Sequence, residues 1–125
     1  MRRSDHGDAS VEAVLVVPVL LFLIMVVVQA GLWFHGKQVV TAAAQEGVQA
    51  GRLDGANAAT GEEQARRFVQ RISPSIARTA TVHASRDAER TSVVVTGTVQ
   101  PVLPGVSLTV VGHAEAPTER FREDR

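Results

Sequence analysis

The chain of 125 residues contains no cysteine. Disulfide scaffolds, thiolate zinc sites and cysteine nucleophiles are therefore excluded together. Any part outside the cytoplasm must hold together without covalent staples. Nor is there an excess of charge: 13 basic and 13 acidic side chains cancel to a formal net charge of zero. Such a chain does not steer itself onto nucleic acid, and no nucleic-acid partner is expected. Lysine is almost missing, Lys37 being the only one; this arginine-rich bias is a compositional hint of a GC-rich genome. Catalytic signatures are thin, with no nucleophile elbow, phosphate loop or clustered metal motif. His83 and His113 fall on polar faces of expected strands, where they are potential neighbours. Two imidazoles without a carboxylate pair or cysteine make a poor zinc site. The expectation is a non-enzymatic protein with no metal, no cofactor and no small-molecule substrate.

What the chain does have is one long apolar run. From Ala13 to Phe34 there is no charge, and Gln29 is the only clearly polar side chain. As a helix this run is roughly 33 Å long at about 1.5 Å per residue, enough to cross a hydrocarbon core of about 30 Å. Pro18 lies inside it, a position that membrane helices tolerate better than soluble ones do. Trp33 and His35 suit the far interface. Arg2 and Arg3 precede the span and only Lys37 follows closely, so the positive-inside rule predicts a cytoplasmic N-terminus and an exported C-terminal region. A cleaved secretory signal is the rival reading, since Val28-Gln29-Ala30 offers small residues at suitable places. Against it, the apolar run exceeds the usual signal core and continues through Leu32, Trp33 and Phe34.

Beyond Phe34 the helical pattern continues. Val39, Val40, Ala43, Ala44, Gly47 and Val48 recur at helical spacing, which predicts one helix from about Ser10 to Ala50. Ala43, Gly47 and Gly51 are small residues four apart, a pattern that lets helices approach closely. An ordinary alanine-rich helix closing at glycine gives the same pattern, and is the favoured reading outside the apolar span. Residues 51–59 read as a loop. Thr60 with Glu63 forms a capping-box pattern that starts a second helix, with Ala65, Phe68, Val69 and Ile72 as its apolar stripe and Pro74 as its end. Arg66, Arg67 and Arg71, following Glu62 and Glu63, read as a solvated face. Three alternating segments then follow, around Val82, Val95 and Leu108, separated by the charged turn 86–90 and by Pro101 and Pro104-Gly105. They predict an antiparallel sheet with one apolar face, covered by the second helix. Its expected core is Phe68, Ile72, Val82, Val95, Leu108 and Val110.

The fold class expected is thus α+β: a long N-terminal transmembrane helix extending into a small exported head of one helix on a three-stranded antiparallel sheet. The divisions are 1–12 for a short leader and processing region, 13–34 for the transmembrane helix, 35–51 for its extension, 52–116 for the head and 117–125 for a charged, disordered tail. So small a head should have low stability by itself and gain it by packing on the first helix or on other subunits.

Two blocks of residues carry a resemblance. Gly7-Asp8-Ala9-Ser10-Val11-Glu12 precedes the apolar run, and Gly7 with Glu12 five residues on resembles the processing site of type IV prepilins and pseudopilins. Glycine supplies an unhindered backbone at a scissile bond. A carboxylate at the edge of an apolar segment is costly to leave unpaired; in pilin-like proteins it can pair with the new amino terminus of a neighbouring subunit. Ser10 as a helix cap, with Glu12 complementing the helix dipole, is the plain structural account of the same residues. Pro18 follows Glu12 by six residues, and Ala43-Ala44-Gln45-Glu46-Gly47-Val48-Gln49-Ala50 lies downstream. Together these look like the TadE-like family of tight-adherence (Flp-type) pilus assembly proteins, whose motif positions here are Glu12, Pro18, Ala43, Ala44, Glu46, Gly47 and Ala50. Gln45 and Gln49 stand where the family commonly has arginine. The resemblance implies a minor pseudopilin or accessory protein in the bacterial cytoplasmic membrane. It implies cleavage between Gly7 and Asp8 by a prepilin peptidase, and subunit assembly through Glu12. Its partners would be other pilus subunits and an inner-membrane assembly platform. A secreted or single-pass binding module unrelated to pili is the alternative.

Overall fold

The computed structural model describes residues 2–120, with side chains over 8–120. Helix α1 runs Arg2–Gly51, α2 Ala58–Ile72 and the short α3 Pro74–Ala77. Three strands follow: β1 Thr81–Arg86, β2 Arg90–Val99 and β3 Leu108–Pro117. They form an antiparallel sheet in the order β1-β2-β3, with Val82 opposite Val95 and Val95 opposite Gly112. The class is α+β, a long apolar N-terminal helix followed by a helix and a three-stranded antiparallel sheet.

α1 is continuous through Pro18 for 50 residues. Its C-terminal half is what makes the head. Val39, Val40, Ala43, Ala44 and Val48 are buried against Ala65 and Val69 of α2, Ile76 of α3 and Val82, Val93, Val95, Val99 and Val110 of the sheet. The sheet's apolar face is therefore covered mainly by α1, which packs on β2 and β3, while α2 packs on α1 and β1. This corrects the expectation that the second helix is the cover. The reason lies in the glycines. A Cβ on Gly112 would lie 2.3 Å from the Val40 carbonyl, and one on Gly36 would lie 2.7 Å from a Val99 methyl. Bare backbone on β3 and on α1 lets helix and sheet come into direct contact, leaving α2 to fill one side.

The expected core is partly displaced. Val82, Val95 and Val110 are buried, Phe68 and Leu108 are half-buried, and Ile72 is 48% exposed. The buried line of α2 is Gly61, Ala65 and Val69, a single i, i+4 row of small residues that suits a close approach to α1. Ile72 falls past the end of that contact, and Ile76 in α3 takes the interior place instead, against Gly97. The cap of α2 is Asn57 rather than Thr60: its Oδ1 accepts from the Thr60 amide at 2.9 Å. On the outer face of α2, Arg66–Glu62 (3.4 Å) and Arg67–Glu63 (2.6 Å) form i,i+4 pairs in solvent. Each is worth only a few tenths of a kcal/mol, roughly.

Residues 117–119 are held against the head. Pro117 closes β3, the Thr118 hydroxyl lies 2.8 Å from that of buried Thr91, and the Glu119 amide donates to the Arg52 carbonyl at 2.8 Å. Arg52 and Glu119 also form an ion pair at 3.2 Å. Residues 121–125 of the expected tail lie outside the described residues.

Candidate functional site

The N-terminal half of α1 stands clear of the head. Val11, Val14, Leu15, Val19, Leu21 and Phe22 are all more than half exposed, and every described residue from Asp8 to Ile24 is on the surface. A bare apolar helix of this size is unfavourable in water, by about 25 cal/mol for each Å² of apolar surface left wet. By length and composition it is able to cross a membrane, which fits a single-pass membrane protein. The carboxylates of Asp8 and Glu12 lie one helical turn apart at its N-terminal edge, both exposed. Like charges at that spacing repel, so a cation near them is favoured. Gly7 lies in the same helix, just upstream; its surroundings are outside the described side chains. Pro18 lies on the exposed stretch between this edge and the head.

The helix and the head are joined by one buried polar side chain that the sequence shows only as an oddity. Gln29 is 3% exposed. Its Oε1 accepts from the Val102 amide at 2.7 Å and the Leu103 amide at 3.3 Å, while Nε2 donates to the Gln100 carbonyl at 3.5 Å. The β2–β3 connection is thereby stapled to the apolar helix. Contact continues upward through half-buried Leu32 and Trp33 and buried Gly36. The head thus reaches back inside the apolar run, which the sequence had carried on to Phe34.

The downstream motif residues divide into two sets. Ala43, Ala44 and Gly47 are buried inside this chain's own head, and Ala50 is half-buried. A Cβ on Gly47 would meet the Gly61 carbonyl oxygen at 2.8 Å and Ala65 Cβ at 3.0 Å. The small-residue row is thus an intramolecular seat for α2, not merely an alanine-rich helix closing at glycine. Glu46 points outward with Gln45 and Gln49, all three exposed. They form the outward strip of the motif.

His83 and His113 are not neighbours. Both are paired with Val94, from opposite sides. Their strands stand roughly 10 Å apart, two strand spacings, with Val94 between them. Among the described residues no group of three or more His, Asp or Glu is placed to hold a metal ion.

The head's far end gathers its charge. Arg86 donates to the Gly51 carbonyl at 3.0 Å and to that of Ala56, closing the end of α1 against the helix dipole. The exposed Asp87 carboxylate accepts from the Arg90 amide at 2.6 Å and the Glu89 amide at 2.7 Å. These two backbone donors, Arg90's first, hold its pKa below the ordinary 3.8.

Residues 7–49 match the family model described as TadE-like protein. The matched segment is α1 alone, from the glycine before the carboxylates to the seat of α2. Comparison with curated proteins and with solved structures gives no match.

Proposed function

We propose, on the TadE-like match of α1, that this chain is a membrane-anchored minor pseudopilin or accessory protein of tight-adherence pilus assembly. Its N-terminus is cytoplasmic and its head extracytoplasmic, because Arg2 and Arg3 precede the apolar helix and Lys37 alone follows it closely. The observation that carries the reading is the division of α1: bare and apolar before Gln29, built into the head after it. A protein with that division anchors and presents the head on one rigid rod.

Cleavage between Gly7 and Asp8 would leave a new ammonium one turn from Glu12, where two carboxylates already favour a cation. In an assembly the same carboxylate would pair with the amino terminus of a neighbouring subunit, which offsets the cost of holding Glu12 beside hydrocarbon. Signal-peptidase cleavage after Ala30 fits the structure poorly. It would cut inside α1 and carry off Gln29, the side chain that holds the β2–β3 connection.

Glu12→Ala is the discriminating variant. It should insert into membranes as the parent does, since removing a charge favours insertion, yet lose cross-linking to co-expressed pilus subunits. Undiminished cross-linking would remove Glu12 from the assembly mechanism.

A further inference from the structure

The β2–β3 connection has a character unlike the rest of the head. Between Arg90 and Glu115 the chain carries no Asp, Glu, Lys or Arg. The turn of this uncharged hairpin is Gln100-Pro101-Val102-Leu103-Pro104-Gly105-Val106-Ser107, and it lies beside Gln29 of the apolar helix. Arg52, Arg86, Asp87, Arg90, Glu115 and Glu119 gather at the other end of the hairpin. The hairpin is therefore polarised along α1, its uncharged turn toward the bare helix and its charged end away from it, while Lys37 on α1 and Arg78 before β1 are cations nearer the turn.

Length sets where a bilayer would end. From Ala13 to Val28 α1 is apolar, and of these residues only Met25 is even half-covered. Sixteen helical residues span about 24 Å, a few Å short of a hydrocarbon core of about 30 Å, a mismatch that local bilayer thinning takes up. The next residue is Gln29. An amide there would be costly beside hydrocarbon if unpaired, and so would the loop's backbone groups. Each satisfies the other: Gln29 takes two loop amides and gives one hydrogen bond to a loop carbonyl. Pro101 and Pro104 have no amide to satisfy and are exposed. On the helix itself, Phe34 is 63% exposed one turn above Gln29, edge-on to Trp33 at 5.3 Å. Aromatic rings gather at that level of a membrane.

We propose that the β2–β3 turn, residues 100–107, is a membrane-contacting loop that rests in the lipid headgroup layer, so that α1 leaves the hydrocarbon at Gln29 and the head sits directly on the bilayer. The inference rests on the reading of α1 as a membrane span and adds a second point of lipid contact. Two contacts fix the head's tilt and rotation, which a single helix leaves open. The outward strip of Gln45, Glu46 and Gln49 is then held in one orientation for a partner subunit.

The absence of cysteine makes the test direct, because single cysteines can be spin-labelled without background. Full-length protein carrying Pro104→Cys, Pro101→Cys, Phe22→Cys or Glu89→Cys is reconstituted into phosphatidylcholine–phosphatidylglycerol vesicles. Collision with oxygen, which concentrates in the bilayer, is compared with collision with a water-soluble nickel chelate. Phe22 should favour oxygen and Glu89 nickel, each strongly. Pro104 and Pro101 should show an oxygen-to-nickel ratio severalfold above that of Glu89, and Gln29→Ala should lower it by freeing the loop. Loop labels that match Glu89, while Phe22 favours oxygen, overturn the loop contact and leave the span intact. Loop labels shielded from both reagents also overturn it, since protein rather than lipid then covers the turn. Nickel access at Phe22 overturns the span and the loop contact together.

Discussion

Gly47 of α1 and Gly61 of α2 face each other so closely that neither has room for a methyl group. A Cβ on Gly47 would lie 2.8 Å from the Gly61 carbonyl oxygen, and a Cβ on Gly61 would lie 2.7 Å from that of Gly47. The obstacle on each side is helical backbone, which cannot turn away as a side chain can. This contact fixes how α2 sits on the anchor helix.

Alanine at either position should therefore destabilise the head. Overpacking typically costs about 1–3 kcal/mol, set against a gain in helix propensity of up to about 1 kcal/mol. The clash should win. Gly31→Ala meets nothing within 4 Å and should be neutral or stabilising. Thermal unfolding of the full chain in detergent checks the contrast. Equal midpoints for Gly47→Ala and Gly31→Ala would refute the close contact.

The interior ranking is a second prediction. Ile76, 4% exposed, should cost about 2–5 kcal/mol on change to alanine. Ile72, 48% exposed, should stay within about 0.5 kcal/mol. Phe68→Ala should fall below the usual 3–5 kcal/mol or so for a buried phenylalanine, because its ring is half-buried with the Arg71 guanidinium 5.7 Å from its centroid. Denaturant midpoints of the three variants order them. A larger loss for Ile72 than for Ile76 would reverse the assignment.

These differences mark where the sequence was readable. α1 was legible over nearly its whole length, because an uncharged run followed by helical spacing has few other solutions. The strands were legible from strict alternation around Val82, Val95 and Val110. Ile76 was not, since a four-residue helix after Pro74 shows no period. Asn57 and Thr60 are both good caps, and the choice between them depends on how residues 51–57 are held by Arg86, some thirty residues on. Gln29 stood out as the one polar residue in the span, yet its partners lie more than seventy residues away. Gly7, Asp8 and Glu12 came from local spacing alone, and the downstream motif showed its small residues without showing that α2 sits on them.

Acid should loosen the β1–β2 turn. The Asp87 carboxyl titrates below the ordinary 3.8 in the folded chain because the Arg90 and Glu89 amides donate to it. The folded state thus prefers the ionised form. Its contribution is present above the unfolded value and is lost as pH falls below it and through the lower, folded one. Hydrogen exchange at the Glu89 and Arg90 amides should accelerate there beyond its intrinsic rate. Asp87→Asn should remove that step. Unchanged protection across the range in the parent would contradict the assignment.

The central claim is that α1 remains in the mature protein as the membrane anchor, after loss of a leader ending at Gly7. Intact mass spectrometry of the protein co-expressed with its own prepilin peptidase tests this most directly. The account predicts a mature chain that begins at Asp8, keeps Glu12 to Gly51, and reverts to the full-length mass in Gly7→Leu, where a branched side chain blocks the scissile position. A mature chain beginning at Gly31, or one that retains Met1 to Gly7 beside an active peptidase, would contradict it.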